Sequence, residues 1–425
     1  MMDILLFILG VCSGVFAGLV PGVGVFTTLI LLYPLLLELT LAQLLILYIP
    51  MASISQFIGS VPSLYFKIPG ESTSFIATEY GHKLFIKGHV DLIPLTAMGS
   101  FVATVLSAVV IFSLPYLYEN MFYHFMSTKF VFFLILFTGA CLIATSKNNW
   151  LVSTAMIASG LVLGNVGFNP STGKFFGTFG NDWLSYGIPL FPFIVALYVL
   201  PNIMKLDNST ATAKTMDNAY IRSISNFKQY FTKMISGSLI GMIAGFVPII
   251  GKIVGVSASR ALNQKSDKDS VIAAESSNNS SIFTAMIPLF LFGVPITLGE
   301  ILIYNVAETN YDLQLEFRHI IGTWLLPALI ISSGVLGLVL SWPLARYCTS
   351  IFKLPTTLLK TVFLTVVLAS LLYMGFVKHM ALYYIFVLLA FLPLGHLLRN
   401  KDVIPLIFSF IFAKISMTIF ERIMI

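Results

Sequence analysis

Charge is scarce in this sequence. Of 425 residues only 24 are Lys or Arg and 18 are Asp or Glu, 10% in all, where soluble domains carry about 25%. That shortage excludes a water-soluble domain of this length. Cysteine is scarcer still: Cys12, Cys141 and Cys348 lie far apart in apolar runs, which argues against a disulfide framework and against a metal site. The histidines are scattered, His82 and His89 in a loop and His124, His319, His379 and His396 singly at the edges of apolar runs. No HExxH pair, His–carboxylate cluster or nucleophile elbow occurs, so no catalytic residues and no metal ligands are expected. No phosphate-binding loop is present, which leaves the chain without a nucleotide-driven motor or cofactor. No basic region precedes the first apolar run, which argues against a cleaved signal peptide. The net charge of +6 falls in loops and reads as a topology signal, not as a nucleic-acid surface.

What is abundant is apolar surface. Hydrophobic residues make up 57% of the chain and the mean hydropathy is +0.93, the composition of an all-α, multi-pass protein of the cell membrane. Apolar runs lie at 4–37, 41–61, 91–114, 130–146, 151–164 and 186–201, then at 234–259, 271–292, 294–306, 319–342, 355–375, 380–398 and 403–420. They predict about ten to twelve crossings, some of them broken or re-entrant. The stretch 165–185 reads as a loop of low charge. Residues 202–232 are the longest polar stretch and read as a linker between a first unit, 1–201, and a second, 233–425.

The two units resemble each other. Gly10 to Gly24, GVCSGVFAGLVPGVG, returns as Gly237 to Gly251, GSLIGMIAGFVPIIG, with seven of fifteen positions identical. Glycines four apart make one helix face smooth enough for another backbone to approach closely. The proline then removes a backbone donor and interrupts the helix. Further on, Pro62 and Pro69 correspond to Pro288 and Pro295 at an offset of 226. Breaks at matching places in two halves point to the binding site of a secondary transporter.

Loop charge orients the halves. The loop 81–90 carries His82, Lys83, Lys87 and His89, while its counterpart holds Glu308, Asp312 and Glu316. The positive-inside rule puts the basic loop in the cytoplasm and its acidic counterpart outside, which predicts inverted-topology repeats. The linker, Arg346, Lys353, Arg399 and Lys401 fit the cytoplasmic side. In the same scheme Arg260–Asp269 falls outside, although it contains Arg260, Lys265 and Lys268.

Polar groups stand where hydrocarbon is expected, and such residues mark functional sites by default. A helix restarting after a Pro-Gly break presents free N–H groups and the positive end of its dipole, which suits an anion. The candidate substrate-binding residues are therefore Pro21, Gly22 and Gly24 at the first break, and Pro69, Gly70, Ser72, Thr73 and Ser74 at the next. Asn278, Asn279, Pro295 and Thr297 join them in the second half. A substrate carboxylate is expected between the restarts at Pro69-Gly70 and Val294-Pro295, flanked by the breaks at Pro21–Gly24 and Pro248–Gly251. Glu71 and Glu275 are the candidate ion-coupling carboxylates, each with capping or an exposed helix start as the bland alternative. Lys67 and Lys252 are as readily explained by snorkelling to an interface.

These motifs resemble the large permease subunit of the tripartite tricarboxylate transporter family. The shared features are Gly18-Leu19-Val20-Pro21-Gly22-Val23-Gly24, Ile68-Pro69-Gly70-Glu71, Ala273-Ala274-Glu275-Ser276-Ser277-Asn278-Asn279, Ile287-Pro288 and Gly293-Val294-Pro295. Ile249 and Ile296 stand where that family usually carries Gly. The resemblance implies import of a di- or tricarboxylate driven by a sodium ion or proton gradient. It also implies a small membrane subunit and an extracytoplasmic solute-binding protein as partners. The alternative, a membrane-embedded enzyme or lipid-handling protein using the same carboxylates, needs one site and leaves the repeat unexplained.

Overall fold

A computed structural model describes residues 1–20, 23–67, 73–117, 128–169, 173–204, 219–248, 251–308, 316, 319–351 and 356–424. Nearly all of them are helical. The first half opens with α1 (Met2–Leu19), α2 (Gly24–Leu31) and the single turn α3 (Tyr33–Leu36). There follows α4 (Leu41–Phe66), 26 residues long, which starts at a Thr40–Gln43 capping box and carries Pro50 and Pro62 inside it. A π-helical turn (Ala77–Gly81) leads to α5 (His82–Ile86), α6 (Leu92–Phe112), α7 (Leu114–Leu117), α8 (Thr128–Thr145) and α9 (Trp150–Asn165). The stretch read as a loop holds an antiparallel hairpin, β1 (Gly167–Asn169) and β2 (Lys174–Phe176), then α10 (Asp182–Ser185) capped by Asn181. α11 (Leu190–Ile194), a π-helical turn and α12 (Leu200–Met204) close the half.

The second half is α13 (Ala219–Gly245), α14 (Gly251–Leu262), α15 (Asp267–Phe292), α16 (Leu298–Glu308), α17 (Leu325–Ile351), α18 (Thr356–Val377), α19 (Ala381–Leu397) and α20 (Ile404–Met424). Helix α13 starts at Ala219, so 219–232 is helical although its composition reads as linker. Among the described residues five helical segments are long and apolar enough to cross a bilayer: Met2–Leu19, Leu41–Phe66, Leu92–Phe112, Leu325–Tyr347 and Lys360–Val377. Several shorter apolar helices accompany them.

The glycine stripes are seats for backbone. A Cβ on Gly10, Gly14 or Gly18 of α1 would lie 2.4, 2.8 and 2.8 Å from the carbonyl oxygens of Leu47, Met51 and Ser55 on α4. On Gly237, Gly241 or Gly245 of α13 it would lie 2.1, 2.2 and 2.7 Å from those of Ala273, Ser277 and Ser281 on α15. The three carbonyls of α15 are those of α4 moved by 226 residues. Helices α4 and α15 have the same length and end in the same way, at left-handed Lys67 (φ 57) and Gly293 (φ 65). One helix pair therefore occurs twice with one register of contact.

At the second break the chain turns back on itself. Gly251 packs on the Ala244 carbonyl, Gly255 faces Gly241, and Asn263 Nδ2 donates to Ser236 Oγ at 3.3 Å. Helices α13 and α14 are thus an antiparallel hairpin, and α14 ends on the side where α13 began. This corrects the expected placing of Arg260–Asp269. Arg260 lies 3.8 Å above the Tyr80 ring, Lys268 forms an ion pair with Asp91, and Ser223 Oγ donates to the Asp91 carbonyl at 3.0 Å. The segment sits beside the basic loop and not across the membrane from it. The scheme erred because a proline break shows where a helix stops, not which way the chain leaves it.

Helices α4 and α15 cross in opposite directions. Leu64 near the end of α4 and Val271 near the start of α15 both approach Gly81, while Tyr48 near the start of α4 meets Gly299 just beyond α15. Each half lends a helix to the other: α6 packs on α15, and α17 packs on α4. Gly99 of α6 faces Ser276, and Gly337 of α17 faces the Phe57 ring. The outer helices exchange similarly, with Gly160 and Gly164 of α9 against the Leu406 and Phe410 carbonyls of α20, and Gly395 of α19 against the Ala196 carbonyl.

Candidate functional site

The helix crossing is polar where its surroundings are not. Glu275, Asn278 and Asn279 share one face of α15, since residues three and four apart are neighbours on a helix, and none is more than 1% exposed. Asn278 Nδ2 donates to Gln56 Oε1 of α4 at 2.7 Å. Asn279 Nδ2 donates to Ser100 Oγ of α6 at 2.7 Å and to the Glu275 carbonyl at 3.2 Å. Each half thus reaches into the other through an amide. Gln56 Nε2, Asn278 Oδ1, Asn279 Oδ1 and Ser53 Oγ have no hydrogen-bond partner among the described residues. A buried polar atom left in that state costs about 1–3 kcal/mol, so such a cluster marks a place built for something other than packing.

The α13–α14 hairpin covers the opposite face of α15. Gly245 lies against Thr284 Oγ1, and Gly255 lies 3.0 Å from Ser277 Oγ as judged at its Cβ position. In the first half, Gly24 opens α2 with φ +60, and Thr28 Oγ1 donates to its carbonyl at 2.9 Å. Pro21, Gly22 and Ile249 lie outside the described residues.

The second restart differs from expectation. Glu300 is 1% exposed, and its Oε2 accepts from the N–H groups of Ile296 at 3.0 Å and Thr297 at 3.2 Å. Lys252, just past the hairpin tip, lies within electrostatic reach of it. The donors expected to meet a substrate carboxylate beside Pro295 and Thr297 are therefore held by the chain's own carboxylate, in the manner of a capping box. Ile296 is fully buried and closes this end with apolar surface.

At the first restart Thr73 and Ser74 are buried, and the Ser74 carbonyl accepts from Thr78 Oγ1 at 2.8 Å. Pro69, Gly70, Glu71 and Ser72 lie outside the described residues. Ile76 packs with Leu64, Val271 and Leu92 in one apolar cluster, whereas Val294 and Ile296 pack in another with Leu41 and Leu47. The described parts of the two restarts stand at opposite ends of the crossing helices, so they do not form the two walls of one seat.

Sequence reasoning did not single out Gln56, Ser100 or Glu300. Glu300 is a single charge in an apolar run, which was an available signal, whereas Gln56 and Ser100 stand among Ser55, Thr96 and Thr104, whose hydroxyls bond within their own helices. Partners 222 residues apart, as Gln56 and Asn278 are, leave no local pattern.

Over residues 4–408 the sequence matches the family described as Tripartite tricarboxylate transporter TctA family. The chain belongs to this family. As a TctA-family member it is an integral membrane protein of a transporter family and not an enzyme. Over 305 residues, 67% of its length, this TctA-family chain is 27% identical to an Agrobacterium vitis protein described as "Uncharacterized 52.8 kDa protein in TAR-I ttuC' 3'region". The matched part spans about 60% of that relative. No solved structure matches the chain.

Proposed function

We propose that this chain is the large membrane permease of a carboxylate importer. Two inverted repeats give alternating access, and a sodium or proton gradient drives uptake. The observation that carries the reading is the recurrence of one helix pair, α1–α4 and α13–α15, in the same register but with α4 and α15 running in opposite directions. Two halves related in this way have outward- and inward-facing states of similar energy, which alternating access requires. An enzyme has no use for the second half.

Loop charge supports the same orientation. The basic segments around Lys83 and Lys268 meet on one side. Lys147 borders Asn148, which is paired through two hydrogen bonds with Asp402, next to Lys401 and near Arg399. The substrate is a di- or tricarboxylate, matching the family's description. It binds near the crossing of α4 and α15, where the buried amides of Gln56, Asn278 and Asn279 stand. Pro69, Gly70, Ser72, Thr73 and Ser74 are assigned to the same substrate from the first half. Pro21, Gly22 and Gly24 are assigned to substrate binding as the sequence counterparts of the second break. A small membrane subunit and an extracytoplasmic solute-binding protein complete the system.

The test is uptake of radiolabelled citrate and succinate into proteoliposomes under imposed sodium or proton gradients. Gradient-dependent accumulation of at least one is expected. In a background lacking the native cysteines, Glu38→Cys and Gln264→Cys, equivalent positions of the two halves at the offset of 226, should label from opposite sides. Labelling from one side ends the inverted-repeat reading, and absence of any carboxylate uptake ends the importer reading.

A further inference from the structure

One turn in the first half holds an aromatic ring away from the protein in a strained conformation. The Asn181 N–H donates to the Thr178 carbonyl at 2.8 Å, and the two residues between them, Phe179 and Gly180, have φ 47 and φ 74. Positive φ at both central positions is the pattern of a type I′ turn, which favours Asn-Gly or Gly-Gly. Glycine enters this region freely, while a residue with a side chain is strained there. Phe179 is nonetheless 95% exposed, so within the chain its ring gains nothing that offsets the strain. Its neighbours repeat the pattern. Phe168 and Phe175 pair directly across the β1–β2 hairpin with ring centroids 5.1 Å apart, and both are exposed, as are Phe176, Trp183 and Tyr186. All six rings belong to one small lobe, closed at its base where Gly167 packs on the Gly187 backbone. Apolar surface concentrated in this way marks contact with something outside the chain.

The position of the lobe says what covers it. Helices α9 and α20 run side by side in one direction. Asn148 pairs with Asp402 before their starts, and Lys414 Nζ donates to the Phe168 carbonyl at 3.1 Å just past the end of α9. Helix α9 has 16 residues, about 24 Å, whereas the hydrocarbon of a bilayer is about 30 Å thick. With Lys147, Asn148 and Asn149 at one membrane surface, the far end of α9 stops short of the opposite boundary, and any tilt shortens its reach. The lobe that follows therefore lies at the headgroup level and not out in water. Its rings also join a surface that faces lipid. Trp183 packs on Tyr383 and Phe386 of α19, with centroids 5.8 and 6.4 Å apart. Phe386 shares an exposed apolar stripe of that helix with Leu382 and Leu389. Across 166–187 the only charged residues are Lys174 and Asp182. Aromatic rings, with a long lysine reaching toward the boundary as Lys414 does, are the groups that suit a membrane interface.

We propose that the described parts of this lobe, 167–169 and 173–187, form a foot embedded in the bilayer interface, with Phe179 and the Phe168–Phe175 pair set among the glycerol and upper acyl groups of phospholipid. Transfer of the Phe179 ring out of water then offsets the strain of its turn. The foot is tied to three helices: to α9 by the chain itself, to α20 through Lys414, and to α19 through Trp183. It fixes the depth of these outer helices in the membrane. The inference needs only a bilayer and does not depend on what the chain carries.

The test attaches a nitroxide at Phe179→Cys in the full chain, with Cys12, Cys141 and Cys348 replaced. Each phosphatidylcholine nanodisc holds one chain, so neither a second copy nor a partner protein can cover the label. Its relaxation by oxygen, which concentrates in lipid, is compared with its relaxation by a water-soluble nickel chelate. Leu389→Cys on α19 is the lipid control, and Lys87→Cys in the basic loop is the water control. Loss of chelate access with oxygen access retained, nearer the Leu389→Cys values, is expected. Values nearer those of Lys87→Cys would overturn the proposal and point to a soluble partner for the rings. Should Phe179→Cys fail to fold, the native Trp183 decides, with Trp150, Trp324 and Trp342 replaced by Phe. Its fluorescence should be quenched more by phospholipid brominated high on the acyl chain than by aqueous iodide. The reverse order would overturn the foot.

Discussion

Lys67 and Gly293 occupy the same position in the two halves, one residue beyond a 26-residue helix, and both are left-handed, at φ 57 and φ 65. The left-handed conformation costs a residue with a side chain about 1–2 kcal/mol and glycine almost nothing. Gly293→Ala should therefore lose about 1 kcal/mol of stability, although nothing lies within 4 Å of the added Cβ. Lys67→Gly should gain about 0.5–1 kcal/mol, since the Lys67 side chain is exposed. Thermal unfolding of the solubilised protein measures both. A loss in Lys67→Gly would mean that the ammonium makes a stabilising contact of its own.

The glycine stripes give a sharper contrast. In Gly241→Ala the new methyl group would fall 2.2 Å from the Ser277 carbonyl oxygen and 2.2 Å from Ser280 Oγ, so α13 and α15 must separate. Overpacking of this kind costs about 1–3 kcal/mol. Gly139→Ala on α8 meets nothing within 4 Å and should gain up to about 1 kcal/mol of helix propensity. Opposite signs in unfolding midpoint are expected from one chemical change. Equal effects at the two sites would remove the case for close backbone contact between α13 and α15.

The Asp91–Lys268 pair joins the halves at the basic end, with side chains only 9% and 12% exposed. Removing one partner strands a largely buried charge, so Asp91→Asn and Lys268→Met should each cost about 2–4 kcal/mol. The double variant should lose less than the two single losses added together, because no charge is then stranded. A cycle that sums without coupling would mean that the two side chains do not meet in solution.

Much of this protein was legible in one dimension. Gly10, Gly14 and Gly18 announce a smooth helix face, and their return at Gly237, Gly241 and Gly245 announces a second copy. Most apolar runs predict their helices to within a few residues, because hydrocarbon solvent leaves a backbone few other forms, but α13 begins at Ala219, well before its run, and α17 continues to Ile351, well past its own. Glu275, Asn278 and Asn279 stand out because polar residues are costly at that depth.

Direction and partnership were not legible. The sequence marks Pro248 as a break, but only the packing of Gly251 on Ala244 turns α14 back and brings Arg260 to Tyr80. Spacing puts Asn278 and Asn279 on one face, but only the fold sets Gln56 and Ser100 opposite them and so decides which amide atoms remain available. Glu300 takes the N–H groups of Ile296 and Thr297 because the turn after Gly293 folds them over it. Periodicity determines which side of a helix is smooth or polar, since that depends on residues three and four apart. What lies against that side depends on chain segments more than two hundred residues away, and only their packing together decides it.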